Sequence, residues 1–252
     1  MKTGSKPPKG FSHMKKSLAI LLSILCLAAC AERQQPEPLP HDPLVIEATL
    51  SPTEEAAKNN AAISESSVRI IQLDEPRTGD LVAVINTTAG EIRVRLFKDH
   101  APKTVAAFTK LAGDGFYNGQ SFHTVVEGYK IECGVTGDGN SPFPDEREFS
   151  LELWNFRGAV SLANNGADFM IVQAPRCLNP MSELVELNFP GKVVDMYIDI
   201  GGAPHQDWEN TVFGAVVSGM EAVDKIASLQ SNEDGAPEEP AVITDIQIIT
   251  VE

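Results

Sequence analysis

Cations are scarce in this chain: 20 lysines and arginines stand against 35 aspartates and glutamates, a formal net charge of −15 over 252 residues. Five of the lysines fall in the first thirty residues, which hold no acid, so the remainder carries 15 basic and 35 acidic side chains. A surface that acidic repels phosphate backbones and anionic lipid headgroups, and it excludes nucleic acid as a partner. Cysteine is rare as well. Cys26, Cys30, Cys133 and Cys177 show no zinc-type spacing. No Ser-His-Asp arrangement stands out, and Thr136-Gly137-Asp138-Gly139 lacks the strand–loop–helix context of a phosphate-binding loop. No cofactor or metal is expected. The apolar run Leu18–Leu27 is too short to span a bilayer.

What that run does resemble is a targeting segment. Lys15 and Lys16 precede it and Leu27-Ala28-Ala29-Cys30 ends it, a basic flank, an apolar stretch and small residues before a cleavage point. The ending is similar to a bacterial lipoprotein signal, in which the cysteine is lipidated after cleavage; Met14 is a natural start for it. The expectation is a signal peptide over 1–30, with the mature chain held on a membrane by acyl chains on Cys30, outside the cytoplasm, facing the periplasm or the cell surface. Residues 31–78 read as a tether. Pro36, Pro38, Pro40, Pro43 and Pro52 block regular structure, and Glu54–Ser67 is polar and alanine-rich. Such a tether reaches on the order of 40 Å. Val68–Leu73 reads as an extra strand docked on the body. In an oxidising compartment Cys133 and Cys177 either pair or stay as two buried thiols, and sequence leaves both open.

The folded body is expected over 79–252. Leu81–Asn86 and the strictly alternating Glu91–Leu96 form a hairpin about Thr87-Thr88-Ala89-Gly90, with Ile92, Val94 and Leu96 inward. Pro102 suits the first position of a helix whose stripe is Val105, Phe108, Leu111 and Ala112, ended by Gly113 and Gly115. Two strands follow, Ser121–Val126 and Tyr129–Cys133, hinged at Gly128; alternation sends Phe122, Thr124 and Val126 to one face and His123 and Val125 to the other. Gly158–Ala163, Asp168–Gln173 and Thr211–Val217 read as further strands. Residues 176–208, with Pro180, Pro190, Gly201, Gly202 and Pro204, read as a long irregular connection with a strand at Val193–Ile198. A second helix opens on the capping box Ser218-Gly219-Met220-Glu221 and buries Val223, Ile226 and Ala227. Val242–Val251 closes the chain, with Val242, Ile246 and Ile248 on one face. Trp154 and Trp208 read as packing residues. Short strands outnumber helices, and a closed antiparallel barrel plugged by the two helices satisfies every edge.

The ordered motifs Gly90-Glu91-Ile92, Ala101-Pro102-Lys103-Thr104-Val105, Gly115-Phe116-Tyr117-Asn118-Gly119, Phe122-His123, Thr136-Gly137-Asp138-Gly139, Ser161-Leu162-Ala163-Asn164, Thr211-Val212-Phe213-Gly214 and Val223-Asp224-Lys225-Ile226 resemble those of the cyclophilins, the peptidyl-prolyl isomerase family, from about 81 to 251. The resemblance implies a mainly β fold: a closed eight-stranded antiparallel barrel capped by two α-helices, with a proline pocket on its outer face. It also implies a monomer that binds proline-containing peptides or exported proteins. An X–Pro bond rotates over a barrier of about 20 kcal/mol because amide conjugation must break. The enzyme has to hold the ring, grip the backbone and stabilise the twisted imide.

In the family an arginine directly after Phe-His gives that last interaction, and here the position is Thr124. The implied catalytic positions are His123, Thr124 and Glu132. The implied substrate-binding positions are Tyr129, Lys130, Ala163, Asn164, Asp168, Phe169, Met170, His205, Gln206 and Asn210. Among these the resemblance departs from the family at Thr124, Tyr129, Lys130, Glu132, Asp168, Met170, His205, Gln206 and Asn210, whereas His123, Ala163, Asn164 and Phe169 match it, as does Phe213 outside the set. Two readings follow: a slow or altered prolyl isomerase, or a peptide-binding module on the same scaffold. Glu132 and Asp168 carry a third idea, that both enter one pocket near His123 and His205 to take a basic residue beside the proline or a divalent ion; solvated acids on an acidic surface are the bland alternative.

Overall fold

Eight short strands make one sheet, and its two ends meet. The computed structural model describes residues 57, 60–63, 68–134, 143, 147–163 and 168–252. Cys30, the Thr136–Gly139 loop and Asn164 lie outside the described residues. The strands are β1 (Leu81–Thr87), β2 (Gly90–Leu96), β3 (Thr124–Val126), β4 (Lys130–Gly134), β5 (Ala159–Ala163), β6 (Asp168–Val172), β7 (Val212–Ser218) and β8 (Ile243–Thr250). They lie in the order β3-β4-β6-β5-β7-β2-β1-β8, and every pairing is antiparallel. The residues leading into β3 and β8 join the ends of that order. Gly119 N donates to Ile243 O at 2.8 Å, Ile243 N to Gln120 O at 2.8 Å, and Phe122 N to Ala241 O at 2.9 Å, while Ser121 bridges Val242. Closure leaves the sheet without a long free edge.

Two helices complete the core. Helix α1 (Pro102–Gly113) follows the last residue of β2 and buries Val105, Phe108 and Ala112. Ala222 of helix α4 (Met220–Ala227) packs against Gly90, where β2 begins, so the two helices sit at opposite ends of that strand. Phe108 meets Tyr117, Phe169 and Phe213 at centroid distances of 5.3–5.7 Å, the aromatic centre of the barrel.

Several expectations are corrected. The strand expected at Ser121–Val126 is regular only from Thr124. Ser121 pairs towards β8 and Thr124 towards β4, and this change of partner puts both Phe122 and Val125 inside. In β8 the irregularity opposite Asn86 and Thr87 turns Ile243, not Val242, into the core beside Ile246. The capping box does not form: Gly219 is the N-cap in the left-handed region, and no side chain caps the helix.

The connection after β6 is helical rather than irregular, and Val193–Ile198 is not a strand. Helices α2 (Met181–Glu186) and α3 (Gly191–Ile200) occupy it. Pro180 and Pro190 are their N-caps, where a missing N–H costs nothing because no helical partner exists for it. Leu184, Leu187, Val193, Val194 and Tyr197 form a second core with Trp154, Phe156 and Val68. Val68–Leu73 docks as a 3-10 turn at Ile71–Leu73, not as a strand. Gln72 and Trp154 exchange two hydrogen bonds of 2.6 and 2.7 Å, and Arg95 pairs with Asp80 at 2.9 Å while donating to Ile71 O. Asn60 also packs here, donating to Leu187 O and accepting from Trp208 Nε1, so residues expected in the tether form part of the folded body. Cys133 lies in the barrel core and Cys177 beside the second core, and both are free thiols. Among the described residues no helix is long and apolar enough to cross a membrane.

Gly219 has φ +92°, and a Cβ there would meet Glu91 O at 2.2 Å, whereas Gly79 at φ +91° faces open space. Gly219→Ala is therefore expected to destabilise by about 3 kcal/mol and Gly79→Ala by only about 1 kcal/mol, read from urea midpoints. Equal effects would show that φ strain alone, not the contact with β2, decides the cost.

Candidate functional site

Alternation along the strands sorts one face for packing and the other for chemistry. Thr124 pairs with Glu132, Glu132 with Met170, and Met170 with Ser161, one row across β3, β4, β6 and β5. The rows beside it are Val126–Lys130–Val172 and Gly134–Asp168–Ala163. Thr124, Lys130, Glu132, Ala163, Asp168 and Met170 thus share the outer face. Phe169 does not. It points into the barrel, fully buried against Phe108 and Tyr117, and drops out of the expected pocket wall; Phe213 is a core residue too.

The outer face carries its own apolar cluster, in which Tyr129, Ala163, Met170 and Val172 pack with Ala203 and Val212. Tyr129 sits in the turn before β4, and its carbonyl accepts from both Gln173 N and Ala174 N. His205 and Gln206 lie in a 3-10 turn, Pro204–Gln206, that packs against Tyr129. His205 Nε2 is 2.9 Å from the Tyr129 hydroxyl, and its Nδ1 is 3.4 Å from Asn179 Oδ1. The amide oxygen assigns the proton to Nδ1, so Tyr129 donates to Nε2. Burial, then the charge of Lys130, pulls the imidazole down to about 4, which keeps it neutral. Burial, then Glu132, raises the Tyr129 hydroxyl and keeps it a donor. Asn210 donates to the Gln206 side chain.

The two acids have separate partners. Glu132 Oε1 is 2.5 Å from Lys130 Nζ, and that ammonium lies 5.0 Å from the Tyr129 ring centroid. Asp168 Oδ2 is 3.5 Å from His123 Nε2, whose other nitrogen is 3.0 Å from Thr124 Oγ1. Among the described residues no three His, Cys, Asp or Glu side chains converge as a metal site. His205 belongs to the Tyr129 side and not to the acids.

Sequence reasoning missed the residues that hold this wall. Asp207, buried, accepts from Asn155 N at 2.8 Å, Asn155 Nδ2 at 2.9 Å and the Tyr197 hydroxyl at 2.5 Å. Asn155 Oδ1 in turn accepts from Ser161 Oγ at 2.6 Å, the last residue of the site row. The turn bearing His205 is thereby tied both to β5 and to helix α3. Burial pushes the Asp207 carboxyl up to about 7, with the Tyr197 and Asn155 donors opposing. The only signal in sequence was an acid two residues after His205 in a glycine- and proline-rich connection.

The family model for cyclophilin type peptidyl-prolyl cis-trans isomerase/CLD matches residues 82–248. A putative peptidyl-prolyl cis-trans isomerase of Staphylococcus aureus is 34% identical over 186 residues, covering 69% of this chain and 94% of that one. A putative bifunctional phosphatase/peptidyl-prolyl cis-trans isomerase of Streptococcus pyogenes is 36% identical over 206 residues, covering 76% of this chain, which spans 44% of that relative's length. Among solved structures, a cyclophilin type peptidyl-prolyl cis-trans isomerase of Cryptosporidium parvum superposes with TM-score 0.53 at 22% identity, over 69% of this chain and 99% of that one. The same parasite protein in the presence of the dipeptide Ala-Pro gives TM-score 0.53 at 23% identity over 68% of this chain. At that identity the two parasite structures speak to fold alone.

His205 and Asp207 shift in opposite senses, and stability follows. Between 3.8 and about 7 the unfolded Asp207 releases its proton while the folded one keeps it, so raising pH through this window lowers stability. Between 6.5 and about 4 the unfolded His205 binds a proton that the folded one refuses, so lowering pH through this window lowers stability. Urea unfolding at several pH values is expected to show Asp207→Asn gaining on the wild type from pH 4 to 7, and His205→Gln gaining from pH 6.5 down to 4. Parallel pH curves for all three proteins would contradict both shifts.

Proposed function

The chain belongs to the cyclophilin-type peptidyl-prolyl cis-trans isomerase family, and on that premise we propose that it binds X–Pro segments on the outer barrel face and isomerises them slowly. The observation that carries this is the row Thr124–Glu132–Met170 beside Ala163, with Tyr129 at its edge. Met170, Ala163 and Tyr129 form the apolar patch proposed to take the ring; all three are buried, so the ring has to displace what covers them. His205 and Gln206 supply a polar wall on a pinned turn. Rotation needs no covalent bond to form or break, so binding and charge placement are the whole of the chemistry. Thr124 is too short and neutral to reach the imide nitrogen as a guanidinium does, and loss of one preorganised donor costs about 3 kcal/mol, a hundredfold or more in rate. That places this protein below the arginine-bearing members in rate.

The substrates are exported proteins, and the chain is tethered to a membrane through lipid on Cys30. The support is the Lys15-Lys16 flank, the Leu18–Leu27 run and Leu27-Ala28-Ala29-Cys30. A lipid-held isomerase meets segments emerging unfolded on the outer side of the membrane.

Exchange NMR on Ala-Pro peptides with the full chain is the test. Measurable acceleration is expected for the wild type, and a gain of about tenfold or more for Thr124→Arg. Peptide resonances that neither shift nor exchange would overturn the reading; shifts at Tyr129 without exchange would leave a peptide-binding module. For the anchor, Cys30→Ala is expected to move the protein from the membrane pellet to the soluble fraction, and unchanged partition counts against lipid attachment.

A further inference from the structure

We propose that Lys130 is the catalytic cation of this site, taking over from β4 the role that Thr124 cannot fill on β3. The inference rests on the isomerase reading above. Residues directly opposite in an antiparallel pair have Cβ atoms about 5 Å apart, and Thr124 is directly opposite Glu132. Lys130 starts one row away, opposite Val126, yet its ammonium is held at 2.5 Å by Glu132 Oε1. The two side chains meet between their rows, on the face that Thr124 shares.

The position of the charge fits the task. Lys130 Nζ lies 5.0 Å from the centroid of the Tyr129 ring, and Tyr129 is the edge of the proline slot. The same charge is felt at His205, whose ring packs directly on Tyr129, where it helps hold the imidazole neutral. The cation therefore stands beside the Tyr129–His205 pair. Its side chain is 20% exposed and that of Glu132 only 4%, so the pair works in a partly dry setting where a charge acts strongly. An ammonium carries three N–H donors, and Glu132 uses one. A second can donate to the imide nitrogen as the amide twists and its lone pair reappears. No proton is transferred and no bond is made or broken. The carboxylate at 132 has its own reason in this scheme: it fixes a flexible lysine in one place before the substrate arrives, which lowers the ordering cost at the transition state.

The plainer account is that Lys130 only neutralises a buried Glu132. A test has to separate rate from folding, because Lys130→Met alone would strand the carboxylate. The double variant Lys130→Met/Glu132→Gln removes both charges together, and Thr124→Arg added to it returns a cation from the other strand. Urea unfolding confirms that each variant is folded; exchange NMR on an Ala-Pro peptide gives the rate, and titration gives the dissociation constant. The expected result is an exchange rate lower by about tenfold or more in the double variant, a dissociation constant within about threefold of wild type, and recovery of the rate on adding Thr124→Arg. A double variant that exchanges peptide as fast as wild type overturns the proposal. So does a loss confined to binding with the bound-state rate unchanged. A wild type that binds the peptide without accelerating exchange overturns Lys130 as catalyst and leaves the binding half of the proposed function. A wild type that does not bind the peptide fails at the earlier step and overturns both.

Discussion

The two-residue period of four short strands is the constraint on which both core and site depend. In β4 and β6 neighbouring residues serve opposite faces: Ile131 and Phe169 fill the barrel while Glu132 and Met170 floor the outer site. A shift of register by one residue would exchange the two sets, sending a carboxylate into the aromatic centre and a phenylalanine to the surface. Closure of the sheet at Ser121 and Val242 locks that register, since neither end of the strand order is free to slide. The site is thus specified by the same alternation that packs the core, and its precision derives from the core's density.

Behind the site, polar groups are buried in a chain that leaves few choices of geometry. Ser161 on β5 donates to Asn155, Asn155 donates twice to Asp207, and Tyr197 on α3 donates to the same carboxylate. Each link removes a group that would otherwise cost about 1–3 kcal/mol as an unpaired buried donor or acceptor. The network also explains the helical connection. Without α3 there is no Tyr197, and the turn carrying His205 and Gln206 would lose one of its anchors. Local unfolding of α3 would therefore take an anchor from the turn that bears His205.

How much of this was legible in the sequence follows from the range of each interaction. The hairpin of β1 and β2 and the stripe of α1 are patterns within a dozen residues, and they read correctly. The helices at Met181–Glu186 and Gly191–Ile200 were hidden because Pro180 and Pro190 look like breakers, although a proline serves as well at a helix start. Phe169 was misplaced for a different reason: the motif names a run of three residues, and only a strand's pleat says which of them face out. His123 and Val125 were put on one face because the partner change between Ser121 and Thr124 is a long-range event. Asp207 offered only its place two residues after His205 as a signal, since its donors come from residues 155 and 197.

Charge recognition of the substrate is weakened by the same pairing that organises the site. An excess of acid over the chain, −15 overall, invites the idea that Glu132 and Asp168 capture a basic residue beside the proline. Glu132 already faces an ammonium at 2.5 Å, and Asp168 lies 3.5 Å from an imidazole nitrogen of His123. A basic substrate would have to compete with a tethered cation whose effective concentration is far above that of any free peptide. It would also have to displace it from a carboxylate that is almost fully buried, at a desolvation cost of its own. On the reading proposed above, selection then falls to apolar fit around Tyr129, Ala163 and Met170. Discrimination of that kind is shallow, about 1–3 kcal/mol per methylene.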